Sequence, residues 1–170
     1  MGKSVAEELA KRLQMFYFNA EDLFLFDHQP RSLQELLKNY GEKYYRKKEK
    51  EIIKYASSFT NTVMCFESGS VEKVRNCKAM KYQTIFVYLH LPLETVYAKT
   101  HQQTYATAEE KRLYAIARKK IERRMQNCKR FAEITVNVSN MSVMRACSEV
   151  LRKLSQYQTV HNGQKNNNNF

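Results

Sequence analysis

Gly2-Lys3-Ser4, near the start of the chain, has the residue types and the order needed to hold a phosphate. Glycine lets backbone approach the anion, a lysine ammonium reaches terminal phosphate oxygens, and a serine hydroxyl binds Mg²⁺. These are the roles of the second half of the pattern G-x-x-x-x-G-K-[ST]. The chemistry also needs a helix to begin here, because the first backbone N–H groups of a helix are unpaired and attract anions. The sequence predicts one: Val5, Leu9 and Leu13 recur every fourth residue, Ala6 and Ala10 flank them, and Glu7, Glu8, Lys11 and Arg12 fall on the opposite face. The first half of the pattern has no counterpart, since the chain begins at Met1. Taken alone, the three residues are a weak signal, since three-residue matches occur by chance in many proteins.

The elements that would position such a site follow in order. Met15-Phe16-Tyr17-Phe18 is a short apolar run that predicts a buried strand, with Asn19-Ala20-Glu21-Asp22 at its C-terminal end. Ser32 with Glu35 three residues on predicts a capping box, for a helix with an apolar face of Leu33, Leu36, Leu37 and Tyr40 that Gly41 ends. Residues 42–56 predict a second, strongly charged helix that can bury Tyr45, Ile52 and Ile53. Further strands are predicted at 62–66, 84–89 and 134–138, the second of them continuously apolar and β-branched. Glu67-Ser68-Gly69-Ser70 leads into a short helix from Val71, and Pro92 opens another through Leu93, Val96 and Tyr97. Residues 100–107 are polar and aperiodic and read as a lid; 108–128 form a long basic helix; 142–154 form a last helix. The tail from Ser155 to Phe170 is Asn-rich and expected to be disordered.

Strands alternating with helices predict an α/β fold of three layers, a parallel sheet with helices on both faces. Ligands in such sheets bind beyond the strand C-termini, which gathers the loops at 20–22, 67–70 and 138–140 around one crevice with Lys3. A single domain over 1–154 follows, with its lid at about 100–110. A phosphate loop normally follows a central strand, which here would precede Met1. Its neighbours would then carry unpaired edges, so the chain is expected to be a truncated gene product or to start too late.

Composition narrows the function. The net charge of +12, from 29 Lys and Arg against 17 Asp and Glu, favours anionic partners. No apolar run reaches the ~18 residues of a membrane helix, and no secretory h-region opens the chain. Cys65, Cys77, Cys128 and Cys147 form no C-x-x-C pair, so reduced thiols in a cytoplasmic protein are expected. The four scattered histidines are assigned no ligand role. The basic helix Lys111 to Arg130 admits a nucleic-acid reading, but no zinc pattern, aromatic platform or nucleic-acid motif accompanies it.

The order of these pieces resembles shikimate kinase, a small P-loop kinase of the nucleoside-monophosphate-kinase type, from Gly2 to about Leu154. Five separate places carry the likeness. They are the Gly-Lys-Ser helix; Asp22, where the family's D-x-D motif places its second Asp; Tyr45-Arg46-x-x-Glu49, similar to F-R-x-x-E; the strand Val87-Tyr88-Leu89 before the lid; and Arg124, eight residues before Ala132. The resemblance implies transfer of phosphate from ATP to the 3-hydroxyl of shikimate, in the pathway to chorismate, by a monomer. Gly2, Lys3 and the helix start would hold the β- and γ-phosphates, and Ser4 would ligate Mg²⁺. Arg46 and Arg124 would clamp the shikimate carboxylate, since a planar two-pronged donor suits a planar acceptor. Glu49 would position Arg46, Gly69 would let backbone approach the substrate, and Asp22 would bind the substrate hydroxyls and take the proton of the attacking one.

The chain also departs from the family's pattern. The first Asp of D-x-D falls on Ala20, Gly-Gly-Gly falls on Glu67-Ser68-Gly69, and Tyr105-Ala106 stand near the place of the lid Arg. Two alternatives to the shikimate reaction therefore stay open: a catalytically degenerate relative serving as a binding or regulatory module, and a kinase of another small hydroxylated metabolite.

Overall fold

The computed structural model describes residues 1–23, 33–100 and 107–167, with the backbone alone at 33–34, 98–100 and 161–167. In chain order its elements are α1 (Gly2–Leu13), β1 (Phe16–Asn19), α2 (Leu33–Ala56), β2 (Thr62–Cys65), a 3-10 turn (Ser70–Glu72), α3 (Val74–Lys81), β3 (Val87–His90), α4 (Leu93–Thr100), α5 (Ala108–Phe131), β4 (Ile134–Asn137) and α6 (Val143–Asn167). Helix α1 buries Val5, Ala6, Leu9 and Ala10 of the predicted face and leaves Leu13, at its end, exposed; its last turn carries Lys11 and Arg12, where cations suit the helix dipole.

Three apolar clusters hold the molecule. Val5 and Leu9 of α1 pack with Ile134 and Val136 of β4 and with Ala146, Cys147 and Val150 of α6. Ala20, Leu36, Tyr45 and Ile52 form the second cluster. Ile53, Val71, Cys77, Met80 and Phe131 form the third. Ile52 and Ile53 are adjacent in sequence and enter different clusters, so the second half of α2 is wedged between them. Gly41, at φ 79 and ψ 161, breaks α2 into the two helical stretches expected on either side of it. The left-handed φ is why glycine stands there.

All four strands pair in parallel, as the alternation of strands and helices requires, but they do so in two separate pairs. Phe16 to Asn19 run beside Thr62 to Cys65, and Val87 to His90 beside Ile134 to Asn137. Among the described residues no strand joins the pairs. They nevertheless lie against one core, because Val63 of β2 packs on the same cluster as Val87 and Leu89 of β3. Both β2 and β3 are only half-buried along their length despite their apolar sequences. A strand with one unpaired edge keeps its N–H and C=O groups on that side open.

Several boundaries differ from the sequence expectation. The tail is not broken at Ser155, since α6 runs on through Asn167. Leu154 and Tyr157, three residues apart, both pack on the first cluster, which gives the polar stretch a face to bury. The strand expected from Thr84 begins at Val87, because the Thr84 hydroxyl donates to the Met80 carbonyl and keeps that segment in a turn. Helix α5 extends to the buried Phe131. Its start is fixed by Thr107, which the lid reading had absorbed. The Glu110 N–H donates to the Thr107 hydroxyl at 3.2 Å, and the Thr107 N–H donates to the Glu110 carboxylate at 3.0 Å. The Ser32 cap and the Tyr105-Ala106 lid positions lie outside the described residues.

Candidate active site

The part of the candidate site expected to hold phosphate is built by α1 and the segment after β1. The first backbone N–H to bond back along α1 is that of Val5, to the Met1 carbonyl at 2.9 Å, and no side chain caps the helix. The N–H groups before it therefore have no helical partner. A Cβ built on Gly2 meets nothing within 4 Å, so the space ahead of the helix is open, and Ser4 is exposed beside it. The Lys3 ammonium donates to the Asp22 carboxylate at 2.7 Å, with both side chains about half exposed at 53% and 50%. That hydrogen bond holds the Lys3 pKa above its ordinary value. This donor set fits the end of a phosphate chain and its Mg²⁺: free N–H groups, one ammonium and one hydroxyl. Ala20 cannot add a carboxylate, since it is 4% exposed and packs in the second cluster.

Acidic groups crowd the same strand ends. Partial desolvation raises the Glu67 carboxyl above its ordinary range even though the residue stays exposed, and Glu21 adds to the rise, while Lys3 opposes it. Burial, helped by Glu67, pushes the Cys65 thiol up to about 11.

The Arg46 cluster, expected to hold an acid, is more tightly bonded. One Arg46 nitrogen, Nη1, donates to both oxygens of Glu49, at 3.0 and 3.1 Å. Glu49 is 3% exposed and also accepts from the Ser70 hydroxyl at 2.9 Å. A Cβ on Gly69 would lie 3.2 Å from Arg46 Nη1 and 3.3 Å from Nη2, so the absent side chain there leaves the guanidinium its place. Across the 3-10 turn, Arg124 Nη2 donates to Glu72 at 3.0 Å, and Asn127 fastens α5 to the Val71 carbonyl at 2.7 Å. Burial opposes ionisation of Glu72, yet the hydrogen bond and charge of Arg124, aided by Arg46 and Lys120, hold its pKa below the ordinary value. Glu72 thus lies in the field of both guanidinium groups. The Nε of Arg124 is buried without a partner, an orphan donor of the kind a ligand oxygen satisfies. A cavity of about 570 Å³ opens on the Arg46 side of Glu72, with Arg46, Glu49, Gly69 and Glu72 among its walls.

The structure therefore joins Lys3 to Asp22, joins Arg46 to Glu49 beside Gly69, and brings Arg124 to the same turn through Glu72. Sequence reasoning missed Glu72 and Ser70. Both follow Gly69 closely, but their partners are 52 and 21 residues away, and no local spacing signals them.

This arrangement of parallel strands, a helix opening at Gly-Lys-Ser and a site at the strand ends is that of a P-loop kinase. The chain superposes on the crystal structure of shikimate kinase from Aquifex aeolicus with a TM-score of 0.76 over 91% of this chain and 89% of that one, at 21% sequence identity. The family model described as Shikimate kinase matches residues 1–155, and the chain belongs to the shikimate kinase family. It is similar to a shikimate kinase of Clostridium botulinum (strain Okra / Type B1), 32% identical over 107 residues that make up 62% of each chain. It is also 28% identical over 86 residues, 51% of this chain and 30% of the other, to a protein of Arabidopsis thaliana described as probable inactive shikimate kinase like 1, chloroplastic. The match thus spans 62% of the length of the clostridial relative.

Proposed function

We propose that the chain is an ATP-dependent phosphotransferase of the shikimate kinase type, acting on the 3-hydroxyl of shikimate or of a closely related hydroxylated acid. The observation that carries this reading is the acid end. Arg46, braced by the buried Glu49 and Ser70, lines a cavity together with Glu72, and Arg124, whose buried Nε has no partner, reaches the same turn through Glu72. Such transfers ask the protein mainly for positioning and charge neutralisation. Arg46 and Arg124 grip the carboxylate, and Gly69 keeps the approach clear. Asp22 leaves Lys3 to accept a substrate hydroxyl and its proton. Lys3 would then be free for the terminal phosphates, beside the free N–H groups of α1, and Ser4 would hold Mg²⁺. The bound Mg²⁺–ATP supplies the phosphoryl group.

The reading is of a monomer working in the cytoplasm. All four cysteines are free thiols, and among the described residues no helix is long and apolar enough to cross a membrane. Shikimate-dependent release of ADP tests it. Wild-type protein should release ADP, and Lys3→Ala should lower kcat/KM by ~10²–10³; wild-type protein without shikimate-dependent release removes the reading.

A second reading, a binding module that keeps the fold without the reaction, is favoured by the buried Ala20 and by the Glu67 carboxylate at the crevice. Glu67→Gly separates the two. A large gain in ADP release marks an impaired enzyme, whereas unchanged ligand binding with no turnover marks a module.

A further inference from the structure

The cavity beside Arg46 carries more positive charge than one carboxylate can use. Six cations line it, Lys43, Arg46, Lys47, Lys50, Lys73 and Arg75, against three carboxylates, Glu42, Glu49 and Glu72. The carboxylates are already engaged: Glu49 by Arg46 and Ser70, Glu72 by Arg124, and Glu42 by Arg46 at 3.5 Å. Among the described residues, no carboxylate is within ion-pair distance of Lys43, Lys47, Lys50, Lys73 or Arg75. Lys43, Arg46, Lys47 and Lys50 follow the i, i+3, i+4, i+7 spacing of a single helix stripe, where like charges repel one another. Lys73 and Arg75 add to this stripe from the segment that follows the 3-10 turn.

We propose that this cleft takes a small acid with a second anionic group, phosphate-like in charge, beyond the carboxylate held by Arg46. The inference rests on the reading of this cleft as the acid site. The carboxylate engages Arg46, and the second group lies among Lys47, Lys73 and their neighbours, away from Lys3. A monocarboxylate leaves that charge unanswered; a dianionic acid neutralises the stripe and the facing wall together.

Calorimetric titration at low salt with a matched pair, glycerate and 3-phosphoglycerate, tests this, with shikimate as the reference monocarboxylate. The phosphorylated acid should bind about tenfold or more tightly than glycerate, with the margin shrinking as salt is raised. Lys47→Gln with Lys73→Gln should erase the margin and leave shikimate binding within about twofold. Lys119→Gln, an exposed lysine outside the cleft, should change neither affinity. Equal affinities for the matched pair, with shikimate bound through Arg46, overturn the inference and leave the acid-site reading standing. A margin that survives Lys47→Gln/Lys73→Gln but is lost in Lys3→Ala places the phosphate at the helix start and also overturns it. If no acid binds in a manner that Arg46→Lys weakens, the inference and the reading fail together.

Discussion

The two halves of the candidate site are built to different standards. At the acid end, a 3%-exposed carboxylate accepts three hydrogen bonds, two from Arg46 and one from Ser70, and a glycine leaves room for the guanidinium. At the phosphate end, a single half-exposed ion pair, Lys3–Asp22, stands before an uncapped helix start. A buried, multiply bonded group is rigid and costly to disturb; a solvated pair contributes little and rearranges freely. The acid end is therefore set before ligand arrives, while Lys3 has a partner to leave. Substitutions should show that contrast as a division between stability and binding.

The largest effect expected is at Glu49. Glu49→Ala strands the Arg46 guanidinium and the Ser70 hydroxyl, and should cost about 3 kcal/mol in urea unfolding. A loss below 1 kcal/mol would mean that the acid end is not pre-set. Glu72→Gln should cost less, about 1–2 kcal/mol, since both partners are only partly buried. Its pH dependence has a definite sign. The folded pKa of Glu72 is lowered, so the pair stabilises the fold above the unfolded carboxylate pKa, and that stability is lost as pH falls through the folded value. The wild-type advantage over Glu72→Gln should accordingly fade below about pH 4.

Glu67 has the opposite sign. Its folded pKa is raised, so ionising it above the unfolded value works against the fold. Because Glu67 is exposed and solvent screens its charge, Glu67→Gln should raise Tm by no more than about 1 °C at pH 7 and leave it unchanged near pH 3.5. The smallest stability effect belongs to Lys3→Ala, within about 0.5 kcal/mol of wild type, even though that residue is assigned the phosphates.

What the sequence made legible follows from what is local. The face of α1, the break at Gly41 and the Arg46–Glu49 spacing all depend on residues within one or two helical turns, and each is found as read. The brace from Ser70, the Glu72–Arg124 pair and the burial of Tyr157 depend on elements meeting in space, which periodicity does not report. The lysines of α2 illustrate the same limit. As a charge run they read as a solvated helix face; with Lys73 and Arg75 opposite, three of them line a cavity. The parallel alternation of strands and helices was legible, as were open strand edges; which strands form the two pairs shows only in the pairing itself.

The central claim is that one crevice holds two independent grips, guanidinium groups for the acid and Lys3 with the α1 start for the phosphates. The most direct measurement is equilibrium binding of shikimate and of Mg²⁺–ATP to Arg46→Lys and Lys3→Ala. Arg46→Lys should weaken shikimate at least tenfold and spare the nucleotide, and Lys3→Ala should do the reverse. If each variant weakens both ligands equally, or neither, the two grips are not where the account puts them.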